Sequence, residues 1–240
     1  MKSARKTSAI REVAAQGSGS WKGLYKVGGV SAILFVVLTL ADIVLAVVVP
    51  PIPASGGAAV LSYIASNQAL YVVFQSLFVG PVGFTALTFL ALYVALEHLD
   101  KSAAAIAVVV GIVSVILCLI PFSFVNGLVF LGGQYAAAAS EAQRAGFASA
   151  AESLLAQNNS VSVGGIIFAV GVLLFSFVML KGVFHRAIAW IGVAAGIVGI
   201  VCESLRPIMG AAYAIYLVVF VWFVAVGWKL CRMGWTARND

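Results

Sequence analysis

Residues 27–49 read VGGVSAILFVVLTLADIVLAVVV and are followed by PPIP at residues 50–53. Apart from Asp42, the stretch carries no charged side chain. A helix rises about 1.5 Å per residue, so about 20 apolar residues span the ~30 Å hydrocarbon core of a bilayer. Proline lacks the backbone N–H and restricts the residue before it, which ends a helix. The stretch therefore predicts a transmembrane helix that stops at the prolines.

Five further stretches of the same character follow. They cover residues 69–96, 102–126, 163–180, 187–205 and 210–228. Each is a continuous apolar run without the alternation of a membrane β-barrel. The chain is 63% hydrophobic and only 9% charged, whereas soluble domains carry about 25% charged residues. We predict an all-α polytopic transmembrane bundle of six helices over residues 23–230, between a basic, partly disordered tail (1–22) and a short C-terminal tail (231–240).

The basic residues are distributed unevenly between the two sides of the predicted bundle. Of the 14 Lys and Arg residues, all but Arg144 and Arg206 fall on the side of the N-terminus. These are Lys2, Arg5, Lys6, Arg11, Lys22, Lys26, Lys101, Lys181, Arg186, Lys229, Arg232 and Arg238. Because basic connections stay in the cytoplasm, we predict a multi-pass protein of the cytoplasmic (inner) membrane with both termini cytoplasmic. This pattern accounts for the net charge of +6, so the lipid bilayer is the expected partner and nucleic acid is not.

Two connections on the outer side, residues 55–68 and 140–157, are longer than a turn requires. In the second, Phe147, Ala151 and Leu154 recur at helical spacing and share one face with Leu155. We predict a short amphipathic helix in each connection. Two interpretations stay open, namely a helix that rests among lipid headgroups and a lid over an outward-facing cavity.

Small residues predict how the helices approach each other. Gly192 and Gly196 form a GxxxG pattern, which lets another backbone come close. Such patterns usually pack helices within one bundle, but they also serve homo-oligomers or membrane protein partners. Proline bends a membrane helix, so we expect bends at Pro81 and at Pro121.

Two carboxylates lie inside the predicted spans. Asp42 is fifteen residues beyond Val27, and Glu203 is sixteen residues beyond Ala187. At the helical rise these separations are about 22 Å and 24 Å, which places both groups in the outer third of the membrane. Ionisable side chains are costly in hydrocarbon, so their presence indicates function.

Further polar residues are predicted at the same depth. They are Gln75, Ser123, Asn126, Arg206 and Tyr213. Together with Asp42 and Glu203 they form a candidate outward-facing pocket for a small ligand or ion. The alternative is structural: Glu203 pairs with Arg206 at i, i+3 spacing, and Asp42 either contacts Arg206 or is protonated and ties two helices together.

Neither metal ligands nor enzyme signatures stand out. Cys118, Cys202 and Cys231 have no metal-ligand spacing, and His98 and His185 both fall at predicted cytoplasmic helix ends. We therefore expect no cofactor, no metal and no catalytic residue. The remaining functions are ligand or ion binding, an accessory role in a larger membrane complex, and an intramembrane enzyme acting on lipid.

A late block of the sequence carries a family resemblance. Residues 183–196 read VFHRAIAWIGVAAG, a short basic turn followed by an aromatic residue and a glycine-rich helix. This block, with the basic tail and the outer amphipathic stretch before the second span, resembles a prokaryotic six-helix membrane family known as domain of unknown function 4386. The proline common in that turn is absent at Ala187-Ile188. The resemblance implies the six-helix fold and carries no activity with it.

Overall fold

The structure is a computed structural model that describes residues 21–53, 56–158 and 162–236. All regular secondary structure in these ranges is helical. The α-helices are α1 (Lys22–Val48), α2 (Gly57–Ser66), α3 (Gln68–Val79), α4 (Phe84–Leu96), α5 (Lys101–Leu119), α6 (Pro121–Ala137), α7 (Glu141–Asn158), α8 (Val163–Met179), α9 (Arg186–Ser204), α10 (Arg206–Met209) and α11 (Val218–Thr236). Two 3₁₀ helices precede α4 and α11, at Gly80–Gly83 and Gly210–Leu217. Residues 1–20 of the predicted tail lie outside the described residues.

Five segments of the described chain are long and apolar enough to cross a membrane. They are Lys22–Val48, Gln68–Leu96, Lys101–Ala137, Arg186–Ser204 and Ala212–Trp235. The remaining predicted span is α8, an apolar helix of 17 residues that packs against α5 and α9. The predicted all-α membrane bundle is confirmed.

The third predicted span, residues 102–126, divides into two helices before Pro121. Helix α5 stops at Leu119, and Pro121 begins a separate helix that continues to Ala137. Proline has no N–H to donate to the preceding turn, so it starts a helix more readily than it continues one. Ser123 and Asn126 therefore lie at the beginning of α6 and not at the end of a span.

The last predicted span is longer than expected. We predict its end at residue 228 and the end of the domain at residue 230, but α11 continues to Thr236. Leu230 is fully buried and Cys231 is nearly so. Lys229 and Arg232 interrupt the apolar run here, but they do not end the helix.

The bundle, which comprises α1, α3 to α5, α8, α9 and α11, has an aromatic centre. The Phe35 ring lies 4.8 Å from Phe223, and the Phe89 ring lies 5.6 Å from Phe168 and 5.4 Å from Phe175. All five side chains are buried. Offset and tilted ring contacts of this kind add stabilisation beyond the area they bury.

Glycines bring the bundle helices into backbone contact. A Cβ added to Gly192 would lie 2.0 Å from Ser176 Oγ and 2.2 Å from Trp222 Nε1, and one added to Gly196 would lie 3.0 Å from the Ala169 carbonyl oxygen. The GxxxG pattern therefore packs α9 against α8 and α11 within the bundle. Homo-oligomerisation through the same glycines stays a prediction, although their close-contact faces are already occupied.

Helices α2, α6 and α7 form a second unit, which we call the cap. Its core contains Val60, Leu61, Ile64, Leu128 and Ala151. The apolar face predicted for α7 packs onto this core through Phe147, Leu154 and Leu155. Both predicted connecting helices exist, and the apolar face of α7 is covered by protein instead of resting on headgroups.

At the end of the bundle opposite the cap, a charged contact joins two connections. Lys181 Nζ donates to Asp100 Oδ2 at 2.6 Å, and Asp100 also caps α5 by accepting from the Ala103 amide at 2.9 Å. The ammonium of Lys181 and the capping amide hold the pKa of the Asp100 carboxyl below its usual range. The connections between α4 and α5 and between α8 and α9 therefore meet at one basic end.

Candidate functional site

A cavity of about 680 Å³ lies where the bundle meets the cap. Its walls combine apolar side chains with a few polar groups. The apolar wall contains Phe78, Val79, Val82, Leu117, Ile120, Pro121, Phe124 and Val163, and the polar wall contains Gln157, Ser162, Glu203, Arg206 and Tyr213. Small-molecule sites in proteins have this size and this mixture of surfaces.

Glu203 is the buried charge of this cavity. It lies near the end of α9 and is 5% exposed. Its Oε1 accepts a hydrogen bond of 2.5 Å from the Tyr213 hydroxyl, whereas its Oε2 has no hydrogen-bond partner. One carboxylate oxygen is therefore satisfied and the other is not.

Arg206 provides the positive charge. Its Nη1 lies 3.9 Å from Glu203 Oε2, which is an ion-pair distance and too long for a hydrogen bond. The guanidinium carbon stands 5.9 Å from the centre of the Tyr213 ring, within the range of a cation–π contact. The Arg206 side chain is 31% exposed, so it borders the open part of the cavity.

Two consecutive glycines at the start of α8 make room for the carboxylate. A Cβ added to Gly165 would lie 2.4 Å from Glu203 Cδ, and one added to Gly164 would lie 2.9 Å from the Cys118 amide nitrogen. Ser162 caps this helix by accepting from the Gly165 amide at 3.1 Å. The N-terminus of a helix favours negative charge, so the first turn of α8 stabilises the ionised carboxylate of Glu203.

The predicted polar layer is only partly assembled. Glu203, Arg206 and Tyr213 come together, as the sequence predicts. Gln75 instead lines a separate cavity of about 170 Å³, together with Tyr71.

The other three residues predicted for this layer lie outside the Glu203 cavity. Ser123 and Asn126 are exposed on α6, and the Ser123 hydroxyl donates to the Ile120 carbonyl oxygen within its own turn. Asp42 is 4% exposed, but it forms no ion pair among the described residues. Its predicted contact with Arg206 is absent, because α1 packs against α4 and α11 whereas α9 packs against α8 and α11.

Sequence reasoning missed several residues of the cavity. Cys118 lies in its wall and is half-buried, and the wall also includes Ser162, Gly164, Gly165 and Gln157. Gly164 and Gly165 could have been noticed in the sequence, because two glycines in the first turn of a span indicate that another group comes close to the backbone there. Nothing in the sequence alone points to Cys118 or Gln157.

One comparison with known proteins identifies a family. A family model described as Domain of unknown function (DUF4386) matches residues 27–235, which include both the bundle and the cap. The family resemblance predicted from the sequence is confirmed. No curated protein and no solved structure matches the chain.

Proposed function

We infer that this chain, which belongs to the DUF4386 family, is an integral membrane protein that binds a small ligand in the cavity around Glu203, without a chemical step. The observation that carries this proposal is the buried Glu203 carboxylate in the wall of a 680 Å³ cavity. Its Oε2 accepts no hydrogen bond and meets Arg206 only at ion-pair distance. A buried acceptor without a donor costs about 1–3 kcal/mol. A ligand that donates a hydrogen bond there would recover that free energy.

The charges around the cavity define the expected ligand. Glu203 favours a protonated amine or another donor, while the apolar wall favours a hydrocarbon body. Arg206 already forms an ion pair with Glu203. A ligand that binds Glu203 therefore either displaces Arg206 or carries an anionic group that Arg206 can bind. We therefore expect a small amphiphile with a nitrogen donor at its polar end.

We place the cavity on the outer side of the cytoplasmic membrane, with both termini in the cytoplasm. The basic end of the bundle supports this orientation. Lys181 contacts Asp100 there, and Lys101 and Arg186 begin the helices that follow these two residues. Both histidines also lie at that end, since His98 follows α4 and His185 caps α9. They are thus remote from Glu203.

A structural role is the competing function, and one observation favours it. Glu203 lies in the last turn of α9, and Arg206 and Tyr213 follow it before α11, so their contacts also hold the connection between these two helices in place. In that case the protein would be an accessory subunit of a larger membrane complex. The two functions differ in one property, because a binding cavity admits small polar molecules and a structural cluster does not.

Cys118 provides a native reporter for this difference. The other two cysteines, Cys202 and Cys231, are buried, so replacing both with serine leaves one thiol in the cavity wall. We expect the purified full-length protein in detergent to react at Cys118 with a cationic methanethiosulfonate, the ethylammonium reagent, faster than with the anionic ethylsulfonate reagent. Stopped-flow quenching followed by mass spectrometry measures both rates.

The charge of Glu203 should set this preference. In Glu203→Gln only Arg206 remains charged, so we expect the ratio of the two rates to change by roughly tenfold or more toward the anionic reagent, since nearby charges interact by ~1–4 kcal/mol in protein surroundings. Glu141→Gln, in an exposed part of the cap, is the matched control. If Cys118 reacts with neither reagent in the folded protein but reacts fully after denaturation, the cluster is closed and the structural function stands.

A competition measurement tests the ligand class. Octylammonium should slow Cys118 modification by a neutral thiol reagent, and octyl sulfate at equal concentration should slow it less. The difference should vanish in Glu203→Gln. Equal protection by both amphiphiles would show that only the apolar wall is recognised.

A further inference from the structure

The second buried carboxylate, Asp42, lies outside the Glu203 cavity and is 4% exposed. Its Oδ1 accepts no hydrogen bond. It lies on the buried face of α1, which it shares with Gly28 and Phe35 because the three residues are seven positions apart. Asp42 is thus a carboxyl group in the apolar interior with an unsatisfied oxygen.

The helices packed against α1 bring no basic side chain near Asp42. They are α3, α4, the intervening 3₁₀ helix and α11. Residues 68–96 contain no Asp, Glu, Lys, Arg or His, and their titratable groups are Tyr71 and Tyr93.

The remaining titratable groups of these elements lie far along the helix axis. On α11, Cys231 lies against Gly29, and Gly234 lies against Lys22 and Lys26. Lys229 and Arg232 belong to the same end of α11, as does Tyr25 to that end of α1. Asp42 is thirteen residues beyond Gly29, about 20 Å along the axis at the helical rise.

An ionised carboxylate in this position would be both unpaired and without donors, which costs many kcal/mol, and such groups neutralise instead. A proton removes the charge, which is the larger part of that cost. We propose that Asp42 is a proton-binding site inside the membrane, and that the proton enters and leaves from the cap side of the bundle. This inference does not depend on the function proposed for the Glu203 cavity.

The geometry around Asp42 gives this site one open direction. Ala46 lies one turn further on the same face of α1 and lines a cavity of about 200 Å³, together with Pro50, Tyr63 and Tyr71. Tyr71 also lines the neighbouring cavity that contains Gln75. In the opposite direction Phe35 lies two turns away and is packed against three aromatic rings. Polar groups are therefore one turn away toward the cap, and the aromatic centre closes the other side.

A proton fits the site better than a metal ion. Hard cations take six or more oxygen ligands, with several carboxylates or carbonyls among them. The described residues contain no group of three Asp, Glu, His or Cys side chains that could hold a metal, and no second carboxylate lies on the elements packed against α1.

Dicyclohexylcarbodiimide tests the proposal, because this apolar reagent adds to protonated carboxyl groups in apolar surroundings. We expect peptide mass spectrometry of the full-length protein in detergent to find the adduct on Asp42 at neutral pH. Modification of exposed Glu141 should be at least about tenfold lower. Once the pH is high enough to ionise Asp42, modification should fall about tenfold for each further pH unit.

An infrared spectrum provides the second measurement. The carbonyl stretching band of a protonated carboxylic acid should be present at neutral pH and missing in Asp42→Asn, which is neutral and similar in shape. Absence of both the Asp42 adduct and the acid band in the unmodified protein overturns the proposal. Protection of Asp42 by Na⁺ at constant pH also overturns it, because a metal cation would then be the ligand. Cys118 modification is measured on the same preparation, so failure here is separate from failure of the Glu203 cavity.

Discussion

The bundle and the cap pack their helices by different means. In the bundle, backbones touch through glycines, as Gly29 does with Gly227 and Gly171 does with Gly111. In the cap, Gly57 approaches a backbone carbonyl in the same way, whereas Gly127 and Gly132 lie against the side chains of an aliphatic core. The cavity lies at the boundary, where side chains of both units line it.

This difference has a physical basis in the surroundings of each unit. Lipid gives apolar helices no hydrophobic reason to associate, so close packing has to stabilise the bundle. The cap carries exposed charges on α7, among them Glu141 and Arg144, and buries its apolar face as a water-soluble helical unit does. Substitutions in the two units should therefore act on different parts of the molecule.

The largest expected effect belongs to Gly29→Ala in the bundle. The added Cβ would lie 2.7 Å from the Gly227 carbonyl oxygen and 2.8 Å from the Cys231 amide nitrogen. Because both atoms are backbone, α1 and α11 have to separate, and we expect a loss of about 3 kcal/mol or more in the free energy of unfolding. The loss of helical circular dichroism on heating in one detergent measures it.

Gly133→Ala is the matched control for this substitution. Gly133 lies in α6 of the cap, with nothing within 4 Å of an added Cβ, and alanine is the better helix former by about 1 kcal/mol. We expect an unchanged or higher unfolding temperature. If both variants lose the same stability, backbone contact is not what holds the bundle together.

The next effect should be confined to the cap. A Cβ added in Gly57→Ala would lie 2.0 Å from the Ala148 carbonyl oxygen, and it would disturb the hydrogen bond of 3.2 Å from the Gly57 amide to Glu152 Oε1. We expect about 2 kcal/mol of local destabilisation. Cys118 should react several-fold faster, and the connection at residues 138–140 should be cut more readily by protease, while the bundle keeps its unfolding temperature.

Gly146→Ala in α7 is the control, because nothing lies within 4 Å of its added Cβ. A common drop in unfolding temperature for cap and bundle in Gly57→Ala would contradict the division into two units. Unchanged Cys118 reactivity would show that the cap does not limit access to the cavity.

The same contrast explains how much the sequence could predict. Apolar run lengths predict the spans, and i, i+3 spacing predicts the Glu203–Arg206 pair, because both depend on one helix alone. The separation of Asp42 from Arg206 depends on the order of helices around the bundle, which apolar faces of similar composition do not specify. Pro121 and the apolar residues after it are compatible with both a bent span and a new helix, so α6 and the cap core were not predictable.

A smaller change in unfolding temperature is expected when the hydroxyl of Tyr213 is removed, and none when that of Tyr63 is removed. Tyr213→Phe removes the only hydrogen bond to the buried Glu203 carboxylate among the described residues, and a bond to a charged group contributes about 1.5 kcal/mol or more. Tyr63→Phe removes a bond of 3.0 Å to the exposed Pro50 carbonyl oxygen, which water replaces. We expect a lower unfolding temperature for Tyr213→Phe alone, and equal temperatures would show that Glu203 is satisfied in another way.

The smallest effect concerns pH and the basic end of the bundle. Because Lys181 and the capping amide lower the pKa of Asp100 in the folded protein, the contact stabilises the fold above the ordinary Asp value near ~3.9 and loses that contribution as the pH falls through the lower folded value. Both side chains are partly exposed, at 54% and 29%, so the change should be smaller than any above. Asp100→Asn should have a slightly lower unfolding temperature than the unmodified protein at pH about 7, and the difference should shrink as the pH falls through the lowered pKa of Asp100. Glu141→Gln, which removes an exposed pair in the cap, should show no such pH-dependent difference. A pH-independent deficit in Asp100→Asn would mean that the ion pair is not responsible, since asparagine can still cap α5.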